Sequence, residues 1–192
     1  MYKAFLTRLY YFYSKSESLK LILTEQQLAI TIKRLTHQIL ENHIDLENTS
    51  LIGIQPRGIY LSDQIVAEIR KDFPAINVEY GKLDITFHRD DVRNEIRLAN
   101  HTDIPFSIEG KKVVLIDDVL YTGRTIRAAL DALLAFGRPE KVELCVLIDR
   151  RFSREFPIQP DYIGKSIDSI ISQKVKVYWR GKDGKEEVAI LD

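Results

Sequence analysis

What this chain has little of narrows it first. Its 192 residues include a single cysteine, Cys145, so no disulfide framework holds it together. That thiol sits in the apolar run Val142-Glu143-Leu144-Cys145-Val146-Leu147-Ile148 and reads as a small core residue in a protein of a reducing, cytoplasmic compartment. Net charge is missing too: 28 basic and 28 acidic side chains cancel, so any nucleic-acid partner must be held by a local patch. Long apolar runs are also absent. The aromatic-rich start, with Tyr10-Tyr11-Phe12-Tyr13, is broken by Lys3, Arg8, Lys15 and Lys20 before it reaches the length of a signal peptide or a membrane span. Nine glycines and six prolines follow no period and no segment repeats, which removes collagen-like, low-complexity and solenoid architectures.

What remains is a soluble globular composition, 45% apolar and 29% charged, at a length that suits one compact domain. Residues 1–18 read as an N-terminal extension and 19–192 as the domain. Thr24 with Gln27 forms a capping-box pattern ahead of Leu28, Ile32, Leu35, Ile39 and Leu40, which predicts a helix from Glu25 to Glu41. Ser50-Leu51-Ile52-Gly53-Ile54-Gln55 reads as a strand stopped at Pro56-Arg57-Gly58, and Ile59, Leu61, Ile65, Val66 and Ile69 mark the next helix. Between Ile76 and Phe87 the pattern turns β-rich, and a polar stretch reaches to Asp103 as a loop or ribbon. Lys112-Val113-Val114-Leu115-Ile116 suits a strand covered on both faces. A helix with Ile126, Ala129, Leu130, Leu133 and Leu134 on one face follows and ends at Gly137. Val142 to Ile148 is a further buried strand, and Val175-Lys176-Val177-Tyr178 with Val188-Ala189-Ile190 forms a hairpin. Strands alternating with helices give an α/β fold with a mainly parallel central sheet flanked by helices.

In such a sheet ligands settle beyond the carboxyl ends of the strands, and Asp117-Asp118-Val119-Leu120-Tyr121-Thr122-Gly123-Arg124-Thr125 occupies that place. The first backbone amides of a helix lack intrahelical partners and bind anions, with Thr122 and Thr125 hydroxyls as further donors and Gly123 allowing close approach. A carboxylate beside a phosphate pocket needs a different ligand, and a vicinal diol suits it. Phosphate and diol together describe a ribose 5-phosphate. Taken singly, paired acids end many strands and Thr-Gly caps many helices; the combination carries the assignment. Other nucleotide loops are excluded, because Gln159 stands where a P-loop ending at Gly164-Lys165-Ser166 needs glycine and no G-x-G-x-x-G occurs.

The stretch from Val113 to Thr125 resembles the 5-phosphoribosyl-1-pyrophosphate (PRPP) signature of type I phosphoribosyltransferases. Arg57-Gly58-Ile59-Tyr60-Leu61, Asp84-Ile85-Thr86 with Arg89-Asp90-Asp91, Gly137-Arg138-Pro139 and Asp161-Tyr162-Ile163-Gly164-Lys165 narrow the likeness. They resemble the bifunctional pyrimidine operon attenuator and uracil phosphoribosyltransferase family from Leu19 to the end.

The resemblance implies a type I fold with a hood and a flexible loop, and transfer of the phosphoribosyl group of PRPP to uracil, giving UMP and pyrophosphate. It implies Mg²⁺ held through PRPP rather than by a protein cage. Catalysis falls to Asp117, Asp118 and Arg89, and PRPP binding to residues 117–125, including Val119, Leu120 and Arg124. The pyrophosphate loop is Pro56-Arg57-Gly58, and Asp149, Arg150 and Val175 line the uracil pocket. Neighbours on a strand point to opposite faces, so Asp117 and Asp118 both hold the ribose only if the strand has ended there, and the sequence leaves open which dominates. Tyr121 stands where related purine enzymes carry aspartate, which argues for a different base. His37, His43, His88 and His101 show no metal-ligand spacing and read as surface or capping residues.

The family also binds the pyrimidine-operon messenger leader in response to uridine nucleotides such as UMP and UTP, and forms homo-oligomers. Arg34, His37, Arg154 and Lys165 match RNA-facing positions, but Arg151-Phe152-Ser153-Arg154 replaces the family's Gly-His-Arg and Gln159 replaces an arginine. The competing expectations are an RNA-binding regulator with vestigial catalysis and a transferase for another base.

Overall fold

The computed structural model describes residues 19–44, 46–89 and 100–191. The aromatic cluster at 10–13 and most of the polar stretch after Arg89 lie outside the described residues. The chain divides into two compact units, Gln26–Ser169 and a smaller one built from both ends of the sequence.

The larger unit holds α1 (Glu25–Asn42), β2 (Thr49–Ile54), α2 (Gly58–Asp72), β3 (Glu79–Leu83), β4 (Lys112–Leu120), α3 (Arg124–Leu133), β5 (Lys141–Arg151) and β6 (Tyr162–Asp168). Its five strands lie in the order β3-β2-β4-β5-β6, every neighbouring pair parallel. Every residue of β2 is buried, as continuous apolar runs require in a sheet covered on both faces. On one side Ile52, Val113, Leu115, Ile126, Ala129 and Leu133 share a core. Burying such a leucine or isoleucine fully stabilises by about 1.5–3 kcal/mol. The chain runs from β2 to β3 on one side and returns to β4 on the other, so a crevice opens beyond the carboxyl ends of β2 and β4.

The smaller unit contains β1 (Leu19–Leu23), β7 (Lys174–Tyr178), a short helical turn α4 (Arg180–Asp183) and β8 (Glu187–Leu191). β8 is the middle strand of an antiparallel sheet, paired with β1 on one side and β7 on the other. The expected hairpin is present, and β1 adds a third strand that the short sequence Leu19-Lys20-Leu21-Ile22-Leu23 did not announce.

Three expectations need correction. β4 does not stop at Ile116: Asp117, Val119 and Leu120 remain in register with Val146, Ile148 and Asp149, so the ladder carries through the acid pair. β5 likewise continues through Arg151, paired with Asp168 of β6, which places Asp149 and Arg150 within a strand instead of in a hood segment after it. His43 is buried, with Nε2 2.8 Å from Glu143 Oε2 and Nδ1 3.2 Å from the Thr49 hydroxyl. Tyr162 donates to the same Glu143 oxygen at 2.6 Å and Lys141 to the other at 2.6 Å. Among the described residues no helix is long and apolar enough to cross a membrane.

Candidate active site

Because β4 continues to Leu120, its two aspartates diverge. Asp117 borders a cavity of about 220 Å³ lined also by Arg89 and residues 119–126. Asp118 accepts a hydrogen bond from Arg57 Nε at 2.9 Å. Arg57 follows β2, and because β2 pairs with β4 its turn brings the expected pyrophosphate loop against the acid pair. The Gln55–Pro56 peptide is cis. Gly58 sits so close to β4 that a Cβ there would lie 2.5 Å from the Ile116 carbonyl oxygen and 2.9 Å from Asp117 Cα. Only glycine admits that approach.

Asp117 is almost wholly buried, and burial pushes its pKa well above the usual carboxylate value. The Asp118 charge pushes in the same direction, whereas the Asp118 amide, 2.9 Å from Asp117 Oδ1, and the charges of Arg89 and Arg57 pull it back. A buried acid whose charge depends on nearby arginines responds to what binds between them.

The helix α3 begins at Arg124, one residue after Gly123, whose φ of +92° only glycine adopts without strain. The Thr122 hydroxyl accepts the Arg124 amide at 3.4 Å, and Arg89 Nη1 reaches the Thr125 hydroxyl at 3.4 Å. Arg89 follows a single helical turn at Thr86–His88. Asp84 fastens that turn: Oδ1 accepts the Thr86 amide at 2.9 Å and hydroxyl at 2.7 Å, and Oδ2 accepts the Asn100 amide at 2.5 Å. A cavity, the first turn of a helix and two arginines near Asp117 therefore converge at one sheet end.

These features suit one ligand class, and comparison with known proteins bears on it. The phosphoribosyl transferase domain family matches residues 18–180. The bifunctional protein PyrR of Picosynechococcus sp. is 46% identical over 171 residues, covering 88% of this chain and 96% of that protein. The chain belongs to the PyrR family. PyrR of Halalkalibacterium halodurans is 43% identical over 175 residues, covering 89% of this chain and 96% of the relative. Among solved structures, a hypoxanthine phosphoribosyltransferase from Staphylococcus aureus superimposes with a TM-score of 0.67 at 20% identity, covering 90% of this chain and 91% of the other. The Trypanosoma cruzi hypoxanthine enzyme gives 0.70 at 18% identity, over 92% and 93%. Those likenesses establish the type I fold.

Other PyrR-derived expectations land in varied surroundings. Arg150 is buried at the end of β5, donates to the Ser169 hydroxyl at 2.8 Å, and stacks its guanidinium 3.9 Å from the centre of the Tyr121 ring. Burial pulls its pKa below the usual arginine value. Asp149 pairs with Arg154. Val175 lies on β7 in the smaller unit. Of the RNA-facing set, Arg34 donates to the carbonyls of Ile163 at 3.1 Å and Gly164 at 2.5 Å, and His37 packs edge-on against Phe73. Lys165 lies exposed on β6. Arg154, also expected to face RNA, turns inward onto the carbonyls of Leu120, Tyr121, Arg150 and Ile158. That placement, 33 residues from Tyr121 in sequence, left no local signal.

Proposed function

We infer that this protein transfers the phosphoribosyl group of PRPP to uracil and, as a PyrR protein, regulates pyrimidine genes. The observation that carries the reading is the crevice where Asp117, the α3 amides, Arg57 and Arg89 converge. The 5-phosphate occupies the amides and hydroxyls of residues 121–125, and the ribose diol faces Asp117. Asp117 is the inner acceptor, and Asp118 shares its charge with Arg57, which grips the departing pyrophosphate with the backbone of Pro56-Arg57-Gly58. Uracil N1 forms a bond to C1′ as the bond from C1′ to the pyrophosphate oxygen breaks, and the N1 proton passes to the released pyrophosphate or to water. Positive charge grows on the ribose, and a carboxylate shielded from water stabilises it more than the same group in solvent. Arg89, reaching across to Thr125, closes the phosphate side and helps exclude water.

Mg²⁺ fits this set, because pyrophosphate and ribose oxygens would hold it while Asp117 offers a hard oxygen on the same cavity. When bound with PRPP it neutralises charge on the leaving group. On the base side, Asp149 and Arg150 are the candidate uracil contacts, and Tyr121 held under Arg150 leaves no carboxylate at the position purine enzymes use. A homo-oligomeric, cytoplasmic enzyme that also binds the pyrimidine messenger leader completes the proposal.

The test is turnover with PRPP and each of uracil, hypoxanthine and guanine, with and without Mg²⁺. UMP as the product with Mg²⁺ present is expected; a purine nucleotide as the main product overturns the uracil reading. For regulation, leader binding that strengthens with UMP and weakens steeply with salt is expected.

A further inference from the structure

We propose that Arg154 is a positioning residue for catalysis: from behind, it turns the peptide planes of the phosphate loop so that their N–H groups face the cavity. The inference rests on the phosphoribosyl-transfer reading and adds a residue outside the pocket to it.

Arg154 lies in the connection between β5 and β6, with its side chain 22% exposed. Nη1 donates to the carbonyl of Tyr121 at 2.5 Å, of Leu120 at 3.3 Å and of Arg150 at 3.0 Å, while Nε donates to Ile158 at 3.1 Å. Nη2 completes the fork on Asp149 Oδ1. The next two residues extend this hold on the loop, since the amides of Glu155 and Phe156 donate to the Thr122 carbonyl at 2.9 and 3.2 Å. Glu155 also holds Arg124 by a 2.7 Å bond to Nε, and Ile158 fills the space beside Gly123.

The consequence follows from peptide geometry. In a planar trans peptide the C=O of one residue and the N–H of the next point in opposite directions. With the carbonyls of Leu120, Tyr121 and Thr122 drawn outward onto residues 154–156, the amides of Tyr121, Thr122 and Gly123 are turned the other way, toward the cavity that these residues line. A cation on the carbonyl side also polarises those peptides, and the Asp149 carboxylate keeps it from repelling Mg²⁺ or uncovering a buried charge. Because the same guanidinium holds the Arg150 carbonyl and the Asp149 side chain, the phosphate loop and the carboxyl end of β5 are set by one side chain. An arginine is required for this, since a single ammonium cannot span carbonyls on both sides and a carboxylate at once.

The test compares the wild type with Arg154→Lys and Arg154→Gln, using ribose 5-phosphate and pyrophosphate as separate competitive inhibitors. Ribose 5-phosphate affinity is expected to fall about tenfold or more in both variants, as loss of charge-assisted bonds to the loop implies. Pyrophosphate affinity, which depends on the loop at 56–58, should stay within about twofold. KM for PRPP should rise more than kcat falls. Equal losses for both inhibitors would mean general loosening and overturn the proposal, and so would full ribose 5-phosphate affinity in Arg154→Lys. If Arg154→Gln does not fold, the lysine variant decides alone. Failure of the wild type to use uracil would instead strike the functional reading, because ribose 5-phosphate binding is measured without any base.

Discussion

Replacing Asp118 by asparagine separates the two roles assigned to the acid pair. Asp118→Asn keeps the shape and one acceptor oxygen but removes the charge facing Arg57 Nε at 2.9 Å. A hydrogen bond between charged groups contributes about 1.5–3 kcal/mol, and the 30% exposure of the Arg57 side chain puts this one at the lower end. Since asparagine still accepts a bond, a loss of about 1–2 kcal/mol is expected, or roughly 5- to 30-fold in kcat/KM for PRPP. The pH dependence should change as well. Asp117 is held above the usual carboxylate range by burial first and by the Asp118 charge second, so removing that charge lets Asp117 ionise at lower pH. The acid limb of the kcat/KM profile should therefore move to lower pH while the maximum falls. Steady-state assays from about pH 5 to 9 read both effects. An acid limb that stays in place, with kcat/KM within about twofold of wild type, would refute the coupling and the role of Arg57 together.

Glu143 gives a stability prediction of opposite sign. Burial alone would raise its pKa, but hydrogen bonds from Lys141, Tyr162 and His43 outweigh it and bring the value down to about 2. A depressed carboxylate stabilises the fold fully above its unfolded value and loses that stabilisation as pH falls toward 2. Urea unfolding at about pH 7 and pH 3 should show a steeper acid loss for the wild type than for Glu143→Gln, and identical slopes would contradict the network. Gly58→Ala should cut turnover sharply and lower the melting temperature, because its Cβ meets the backbone of β4 at 2.5 Å; near-normal kinetics would show that the loop relaxes. Cys145, buried with its pKa pushed up, should react with a thiol reagent only on unfolding, and rapid labelling of the native protein would displace it from the core.

The periodicity of Leu28, Ile32, Leu35 and Ile39 and the apolar runs at 50–54 and 112–116 were enough to foresee α1, β2 and β4, because burial alone dictates those patterns. Strand ends were less legible. Asp117, Asp149 and Arg150 look like residues that stop a strand, yet each stays in the ladder since its polar groups find partners there: Asp149 in Arg154, Asp117 in the Asp118 amide, Arg150 in the Ser169 hydroxyl. β6 was hidden for a related reason, as Gly164, Lys165 and Ser166 break any apolar run and its pairing with β5 is invisible in the sequence. The proposed phosphate loop could be picked out locally because one contiguous stretch, 117–125, contains it. Arg154 and the His43–Glu143–Tyr162 group could not, being assembled by packing across 33 and 100 residues.

The three-stranded sheet places the last-made of its strands at its centre. β1 is synthesised before the whole of segment 26–169, yet its only sheet neighbour among the described residues, β8, is synthesised after it. Segment 26–169 is contiguous and holds all five strands of its own sheet, so it depends on neither end of the sequence for strand pairing. A chain cut short before residue 187 would thus carry β1 and β7 with open edges, which makes β8 the strand that guards both against edge-to-edge association.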